Sequence, residues 1–299
     1  MTKNAKGVYT ATLTPLKEDL SFNPEMLVDH CHWLLASGAD GIALLGTTGE
    51  ANSFSMEEKK QIIDAVTAGG IPASQLMVGT GSCAYPETIE LTSYALEKGI
   101  NDILMLPPFY YKQVNDQGLY DYFDRVIDGI SNEHLRIFLY HFPKMSGLDT
   151  SNALIEKLLH KYPNQIAGMK DSSGDLDHMQ SICRHFPDLS LFAGTERYLL
   201  PVLRAGGVGC ISATANATIR KVAKVYQSWQ TSEADSLQEA LTAVRSAFEG
   251  LPFAAILKQY LAHYHNNKGW LPLRPPNSPV PEKAVNELVL ELNRLGFEP

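Results

Sequence analysis

The chain has 299 residues, of which 44% are apolar and 19% charged. That composition supports a buried core and excludes a disordered or collagen-like chain; the length suits one α/β barrel of about 250 residues with a remainder. With 25 Lys and Arg against 33 Asp and Glu, the net charge is −8. Neither nucleic acid nor an anionic membrane is therefore an expected partner, and an anionic substrate must be met by local donors.

The segment from Met1 to Thr10 has no apolar h-region. No apolar run approaches the roughly 18–20 residues that span a bilayer. Cys31, Cys83, Cys183 and Cys210 are isolated and widely spaced, and read as buried small apolar residues rather than a disulfide framework or a zinc site. A cytoplasmic, reduced protein is the expectation.

Short apolar runs alternate with amphipathic stretches. The first strand, Val8–Thr12, precedes a helix at Pro24–Ser37. Gly41–Leu45 precedes Ser55–Ala68, whose Ser-Met-Glu-Glu start is a Ser N-cap with acid in the first turn. Leu76–Gly79 precedes Pro86–Lys98, which opens on Pro and stops before Gly99. Asp102–Leu106 and Gly118–Ile130 follow, then Ile137–His141 and Ser151–Lys161. Ile166–Lys170 leads to Leu176–His185, Ser190–Ala193 to Glu196–Ala205, and Val208–Ser212 is the eighth strand. Eight strand–helix units favour a closed (β/α)8 TIM barrel, of the α/β class, over an open sheet. An open nucleotide-binding sheet needs Gly-x-Gly-x-x-Gly after its first strand, where this chain has Leu13-Thr14-Pro15. Further helical patterns lie at Ile219–Gln230, Ser232–Glu249, Pro252–Asn266 and Pro281–Leu295. The expected organisation is a catalytic barrel over 1–225 and a C-terminal helical region over 226–299 packed on it.

Chemistry in such barrels sits at the C-terminal ends of the strands. Lys170 ends the run Ile166-Ala-Gly-Met169, and alternation puts Ile166, Gly168 and Lys170 on one face. If that face is the interior, burial favours the neutral amine, a nucleophile toward a carbonyl, and Gly168 leaves room for it. The alternative is an ammonium that reaches solvent or Asp171. Tyr140 ends the neighbouring strand and suits a proton shuttle, or plain packing. His141 alternates to the opposite face. Thr47-Thr48, between Gly46 and Gly49, offers hydroxyls and open N–H groups for a carboxylate or a relay, or forms a helix-capping turn.

Five segments together, Gly46-Thr-Thr-Gly-Glu50, Pro107-Pro-Phe-Tyr-Tyr-Lys112, Tyr140-His-Phe-Pro143, Gly168-Met-Lys-Asp-Ser-Ser-Gly-Asp175 and Gly206-Gly-Val-Gly-Cys-Ile-Ser212, resemble the dihydrodipicolinate synthase / N-acetylneuraminate lyase family of class I Schiff-base aldolases. The resemblance spans essentially the whole chain. It implies that Lys170 forms the Schiff base with pyruvate or another 2-oxo acid, and that Tyr140 relays protons. Thr47 would link Tyr140 to a second tyrosine, Tyr110, which many members supply across a tight dimer. Thr48 would hold the substrate carboxylate, Ile211 would line the pocket, and Gly194, Lys144 and Met145 would complete the substrate-binding set. The assembly it implies is a homotetramer, a dimer of dimers, or a homodimer. No cofactor and no metal are expected.

One position departs from the pattern. Lysine-biosynthetic synthases carry an Arg, which holds the second substrate's carboxylate, where this chain has Met145. A thioether cannot make that bidentate contact, and the neighbouring Lys144 is a flexible point charge. Cleavage of a 2-oxo acid, or dehydration of a 2-keto-3-deoxy sugar acid, is therefore expected ahead of condensation of pyruvate with aspartate semialdehyde by a 4-hydroxy-tetrahydrodipicolinate synthase. A barrel that binds a 2-oxo acid without catalysis is a further alternative. A phosphate-binding barrel is less expected, because Glu196 follows the seventh strand and suits a sugar hydroxyl or an amine. Ser172, Ser173, Ser212 and Asn216 join the positions expected to set the substrate. A metal-dependent aldolase is disfavoured: no His-Glu-x-x-His occurs, and the pairs His30/His32 and His263/His265 fall in helices, where residues two apart do not face each other.

Overall fold

The computed structural model describes residues 5–299. Eight strands close into a parallel barrel in sequence order: β1 (Gly7–Ala11), β2 (Gly41–Leu44), β3 (Leu76–Gly79), β4 (Asp102–Met105), β5 (Arg136–His141), β6 (Ile166–Asp171), β7 (Ser190–Ala193) and β8 (Gly209–Ser212). Closure joins β1 to β8, with Tyr9 opposite Ile211. A Cβ on Gly209 would lie 1.8 Å from the Gly7 carbonyl oxygen, so only glycine allows this last strand to meet the first.

The barrel helices are α1 (Pro24–Ala36), α2 (Met56–Ala68), α3 (Tyr85–Glu97), α4 (Asp116–Ile130), the single turn α5 (Pro143–Ser146), α6 (Asn152–Lys161), α7 (Leu176–His185), α8 (Leu199–Arg204) and α9 (Ala215–Ser228). Their starts are fixed by side chains that accept orphan N–H groups. Asn23 accepts from Met26, Asn115 from Gly118, Ser151 from Leu154 and Asp175 from His178. Ser55 and Glu58 form a reciprocal capping box on α2. The expected helix at Glu196–Ala205 is broken in two: a 3-10 turn at Glu196–Tyr198 precedes α8. Cys31, Cys183 and Cys210 are buried and Cys83 is half-buried; all four are free. Among the described residues no helix is long and apolar enough to cross a membrane.

Apolar side chains fall into three clusters. One joins the outer faces of the strands to the barrel helices. A second fills the barrel interior with Tyr9, Phe138, Tyr140, Phe192 and Ile211. The third unites α10 (Ala234–Ala247), α11 (Phe253–Tyr264) and α12 (Glu282–Arg294) through Phe248, Leu257, Leu261, Leu288 and Leu292, and reaches the barrel at Leu13 and Ala217. The C-terminal helices are thus seated on the catalytic end of the barrel. α9 runs three residues past position 225 before they begin.

Polar bonds reinforce that seat. Lys258 of α11 is fully buried and its ammonium lies 2.5 Å from Glu50, directly after the Gly46–Gly49 loop. Glu50 also accepts from the Asn277 side chain at 3.0 Å. Glu50 and Leu45 bracket the loop with left-handed backbone (φ 57° and 55°), a conformation that costs a non-glycine residue roughly 1–2 kcal/mol. The buried ion pair holds the loop in this shape. Burial pulls the Lys258 ammonium below its ordinary pKa, and the Glu50 carboxylate opposes that pull. Lys258→Met should strand a buried carboxylate and cost about 3–5 kcal/mol. Chemical denaturation should show that loss, with partial recovery in Lys258→Met/Glu50→Gln; an unchanged unfolding midpoint in the single variant would refute the pairing.

His30 of α1 is buried and meets Asn216 Oδ1 through Nε2 at 2.9 Å. Burial depresses its pKa to about 4. The unfolded chain takes up that proton near pH 6.5, whereas the folded chain resists it until about pH 4. Stability at this residue is therefore whole above pH 6.5 and lost as pH falls toward 4. Urea midpoints of the parent should drop across that window, and His30→Gln should flatten the drop. An equal slope in both proteins would remove His30 as its source.

Candidate active site

β5 and β6 place the central pair. Tyr140 and Lys170 are register partners at the C-terminal ends of their strands. Both side chains are buried in the barrel mouth, and the Lys170 ammonium donates to Tyr140 Oη at 3.3 Å. It also lies 4.3 Å from the centroid of the phenol ring, close enough for a cation–π attraction. An aromatic floor lies below, where Phe192 meets Tyr9 and Phe138 edge-on, with centroids 5.5 and 5.8 Å apart.

The expected alternation holds for Gly168 and Lys170 but fails at Ile166. The β5–β6 register shifts between Ile137 and Phe138, so Ile137 faces Ile166 while Phe138 faces Gly168. Ala167 is the extra residue of this bulge and joins the interior cluster, whereas Ile166 packs outside with the helices. Nor does Gly168 leave empty room under the lysine. A Cβ there would come within 2.5 Å of the Phe138 ring, so the glycine admits the aromatic floor.

A cavity of about 570 Å³ opens above Lys170. Thr47, Thr48, Gly194, Lys144 and Met145 all line it together with Tyr140 and Lys170. Thr14 donates to the Gly49 carbonyl at 2.9 Å and steadies the threonine loop from below. The backbone N–H groups of Thr47 and Thr48 meet no acceptor among the described residues. Gly194 is needed for a close approach: a Cβ there would lie 2.1 Å from Ser172 Oγ.

Other expected residues fall elsewhere. Tyr110 is 74% exposed and stands outside the cavity, edge-on to the equally open Tyr111. Ile211 is fully buried within the interior cluster. Glu196 does not face a ligand: it is completely buried and accepts from the hydroxyls of Ser212, Thr214 and Thr218. Its lone pairs are spent on the end of β8 and the start of α9, which also removes Ser212 from the expected specificity set. Asn216 is likewise internal, accepting from Leu13 N–H and donating to the Ala11 and Ala213 carbonyls. Ser172 does line the cavity, whereas Ser173 turns back to cap Asp171 through its N–H at 2.8 Å.

The turn after β7 and the C-terminal helices supply further cavity lining that the strand ends alone do not reveal. Arg197, Arg245, Glu249 and Phe253 border the same cavity as Lys144 and Met145. The Arg245 guanidinium rests 4.5 Å above the Phe253 ring, and its Nε and Nη1 are buried without a hydrogen bond. Glu196 and Glu249 approach it only to 3.8 and 3.7 Å. Arg197 donates to Ser246 and Glu249. The cavity thus brings together a lysine amine, a phenol, open backbone N–H groups and guanidinium groups. Arg245 at a buried position of a helix after the last strand was the available signal in the sequence.

The profile of the dihydrodipicolinate synthetase family matches residues 4–295. The chain is 30% identical over 292 residues to an uncharacterized DapA-like lyase of Chloroflexus aurantiacus, covering 97% of each chain. Among solved structures, dihydrodipicolinate synthase from Agrobacterium tumefaciens superposes with a TM-score of 0.91 at 26% identity, over 98% of this chain and 100% of that one. YagE, an Escherichia coli prophage protein of the dihydrodipicolinic acid synthase family solved with pyruvate, superposes at 0.87 with 25% identity, over 97% and 98%. A matched profile over nearly the whole length, on a barrel with a buried lysine and tyrosine at its mouth, makes this chain a member of the dihydrodipicolinate synthetase family and a class I lyase.

Proposed function

We propose that the protein is a Schiff-base lyase that cleaves a 2-oxo acid, or dehydrates a 2-keto-3-deoxy sugar acid, through an imine at Lys170. The carrying observation is the buried Lys170 Nζ, 3.3 Å from Tyr140 Oη, at the base of the cavity. In this reading the neutral amine attacks the keto carbon, and Tyr140 passes a proton to the departing oxygen, which leaves as water. The resulting iminium nitrogen takes the electron pair of the breaking C–C bond, while the adjacent hydroxyl loses its proton and becomes the carbonyl of the released aldehyde. Protonation of the enamine and hydrolysis return Lys170 and free pyruvate.

The remaining residues take roles by position. The Thr48 and Thr47 N–H groups hold the substrate carboxylate beside the iminium. Thr47 links Tyr140 to Tyr110, which reaches the site from a second subunit; the exposure of Tyr110 and Tyr111 supports a dimer, and a dimer of dimers extends it. Gly194, Ile211, Lys144 and Met145 shape the substrate side. The barrel of 1–225 carries the chemistry and 226–299 braces it, contributing Arg245. A cytoplasmic setting with reduced cysteines belongs to the same reading. Met145 beside Lys144 is the observation against the synthase: neither offers the planar fork of an arginine to a second carboxylate.

Borohydride reduction in the presence of pyruvate should add a reduced pyruvyl group at Lys170 and abolish activity. An unchanged intact mass in folded protein would sink the imine. Tyr140→Phe should lower kcat by about 10²–10⁴-fold with its circular dichroism spectrum preserved. In a substrate panel, pyruvate release from keto-deoxy sugar acids, 4-hydroxy-2-oxoglutarate or N-acetylneuraminate should exceed condensation with aspartate semialdehyde. Faster condensation would reverse the reading of Met145 and restore the synthase.

A further inference from the structure

Directly behind the catalytic pair, on the outer face of the sheet, lies a second cluster that the chemistry above does not use. His141 follows Tyr140 and Asp171 follows Lys170, and the two are register partners. Since Tyr140 and Lys170 point inward, strand alternation turns His141 and Asp171 outward. His178, on the first turn of α7, closes over them. Its Nδ1 lies 2.6 Å from Asp171 Oδ2, and its ring stacks on that of His141 with centroids 4.7 Å apart at 29°. One nitrogen from each imidazole and a carboxylate oxygen of Asp171 all lie within 4.8 Å of one another. Asp149 stands beside this group on the His141 side, with Oδ1 3.7 Å from His141 Nδ1.

Two features point beyond a plain hydrogen-bonded cluster. The His141 side chain is only 3% exposed, yet its Nδ1 has no hydrogen-bond partner among the described residues. A buried ring nitrogen left without a partner is costly. Here its nearest polar neighbour is a carboxylate oxygen of Asp149 at 3.7 Å, itself a ligand type. The charges match as well: with both imidazoles in the neutral form that binds a metal, the Asp171 and Asp149 carboxylates leave −2, which one divalent cation neutralises. Asp171 is already oriented, because its other oxygen accepts the Ser173 N–H at 2.8 Å, the kind of support that fixes a ligating carboxylate.

We propose that His141, Asp171 and His178, with Asp149 as the fourth ligand, form a site for one divalent transition-metal ion of the zinc type. Two imidazoles and two carboxylates are a donor set that Zn²⁺ accepts at about 2.0–2.2 Å. The movable members are the ones that adjust: the His178 side chain is 27% exposed and that of Asp149 77%. The ion's role is structural. It would tie the segment that follows β5, bearing Lys144 and Met145, to β6 and α7, and so hold Tyr140 and Lys170 from behind without touching the reacting atoms. The inference is independent of the substrate proposed above.

The test uses the full-length protein stripped with chelator. Zn²⁺ is titrated in competition with a chromophoric chelator, and bound metal is counted by mass spectrometry after dialysis. Expected are about one Zn²⁺ per chain, a rise in melting temperature on zinc addition, and loss of both in His178→Gln, whose partly exposed position preserves the fold. Asp149→Asn should weaken affinity roughly 10–100-fold. Co²⁺ in place of Zn²⁺ should give visible d–d bands without a thiolate charge-transfer band. Absence of stoichiometric zinc at micromolar free metal would overturn the proposal. So would binding unchanged in His178→Gln, or a thiolate band that places the ion on half-buried Cys83.

Discussion

A closed parallel barrel has a narrow interior that each strand enters through alternate residues, and everything about this site follows from how that interior is filled. Tyr9, Phe138 and Phe192 occupy it with large rings. Gly168 gives up its side chain so that the Phe138 ring fits. The floor so formed is solid, and a lysine one step above has nowhere to go except the mouth. Lys170 is thereby placed beside Tyr140 by packing rather than by a network of polar bonds. A bulge at Ala167 adjusts the phase so that the register places Lys170 opposite Tyr140 at the rim.

Above the rim the control passes to ion pairs and carboxylates. Glu50, held by Lys258 and Asn277, shapes the loop that presents Thr47 and Thr48. Glu196, saturated by three hydroxyls, fixes the junction of β7, β8 and α9. Gln238 of α10 binds both the Leu200 N–H and the Glu196 carbonyl, carrying that junction into the C-terminal helices. Two buried acids thus do for the loops what the aromatic floor does for the lysine. Both connect the barrel to the helices that follow it, so the cavity is built jointly by strand ends and extension.

The same pair of strands presents two distinct polar faces. Inward lie Tyr140 and Lys170; one residue later, outward, lie His141 and Asp171. A change in the outer cluster reaches the Tyr140–Lys170 pair through one peptide unit on each strand. Such adjacency is a consequence of the period of two along a strand, which puts an interior residue next to a helix-facing one.

Sequence alone determined the eight strand–helix units, because buried parallel strands and amphipathic helices leave different periods. It also placed Lys170, Tyr140 and the threonine loop at strand ends, since strand ends and glycine-flanked turns are visible as local patterns. Local pattern says nothing about which way a polar side chain turns when both directions are buried. Glu196, Ser212 and Asn216 therefore read as substrate contacts, although tertiary packing directs them inward to each other and to backbone. Nor does periodicity register a one-residue bulge, so Ile166 was assigned to the wrong face. The wall made by Arg197, Arg245 and Phe253, and the meeting of His141, Asp171 and His178, depend on contacts between elements far apart in the chain. Only closure of the barrel and the docking of α7, α10 and α11 decide those.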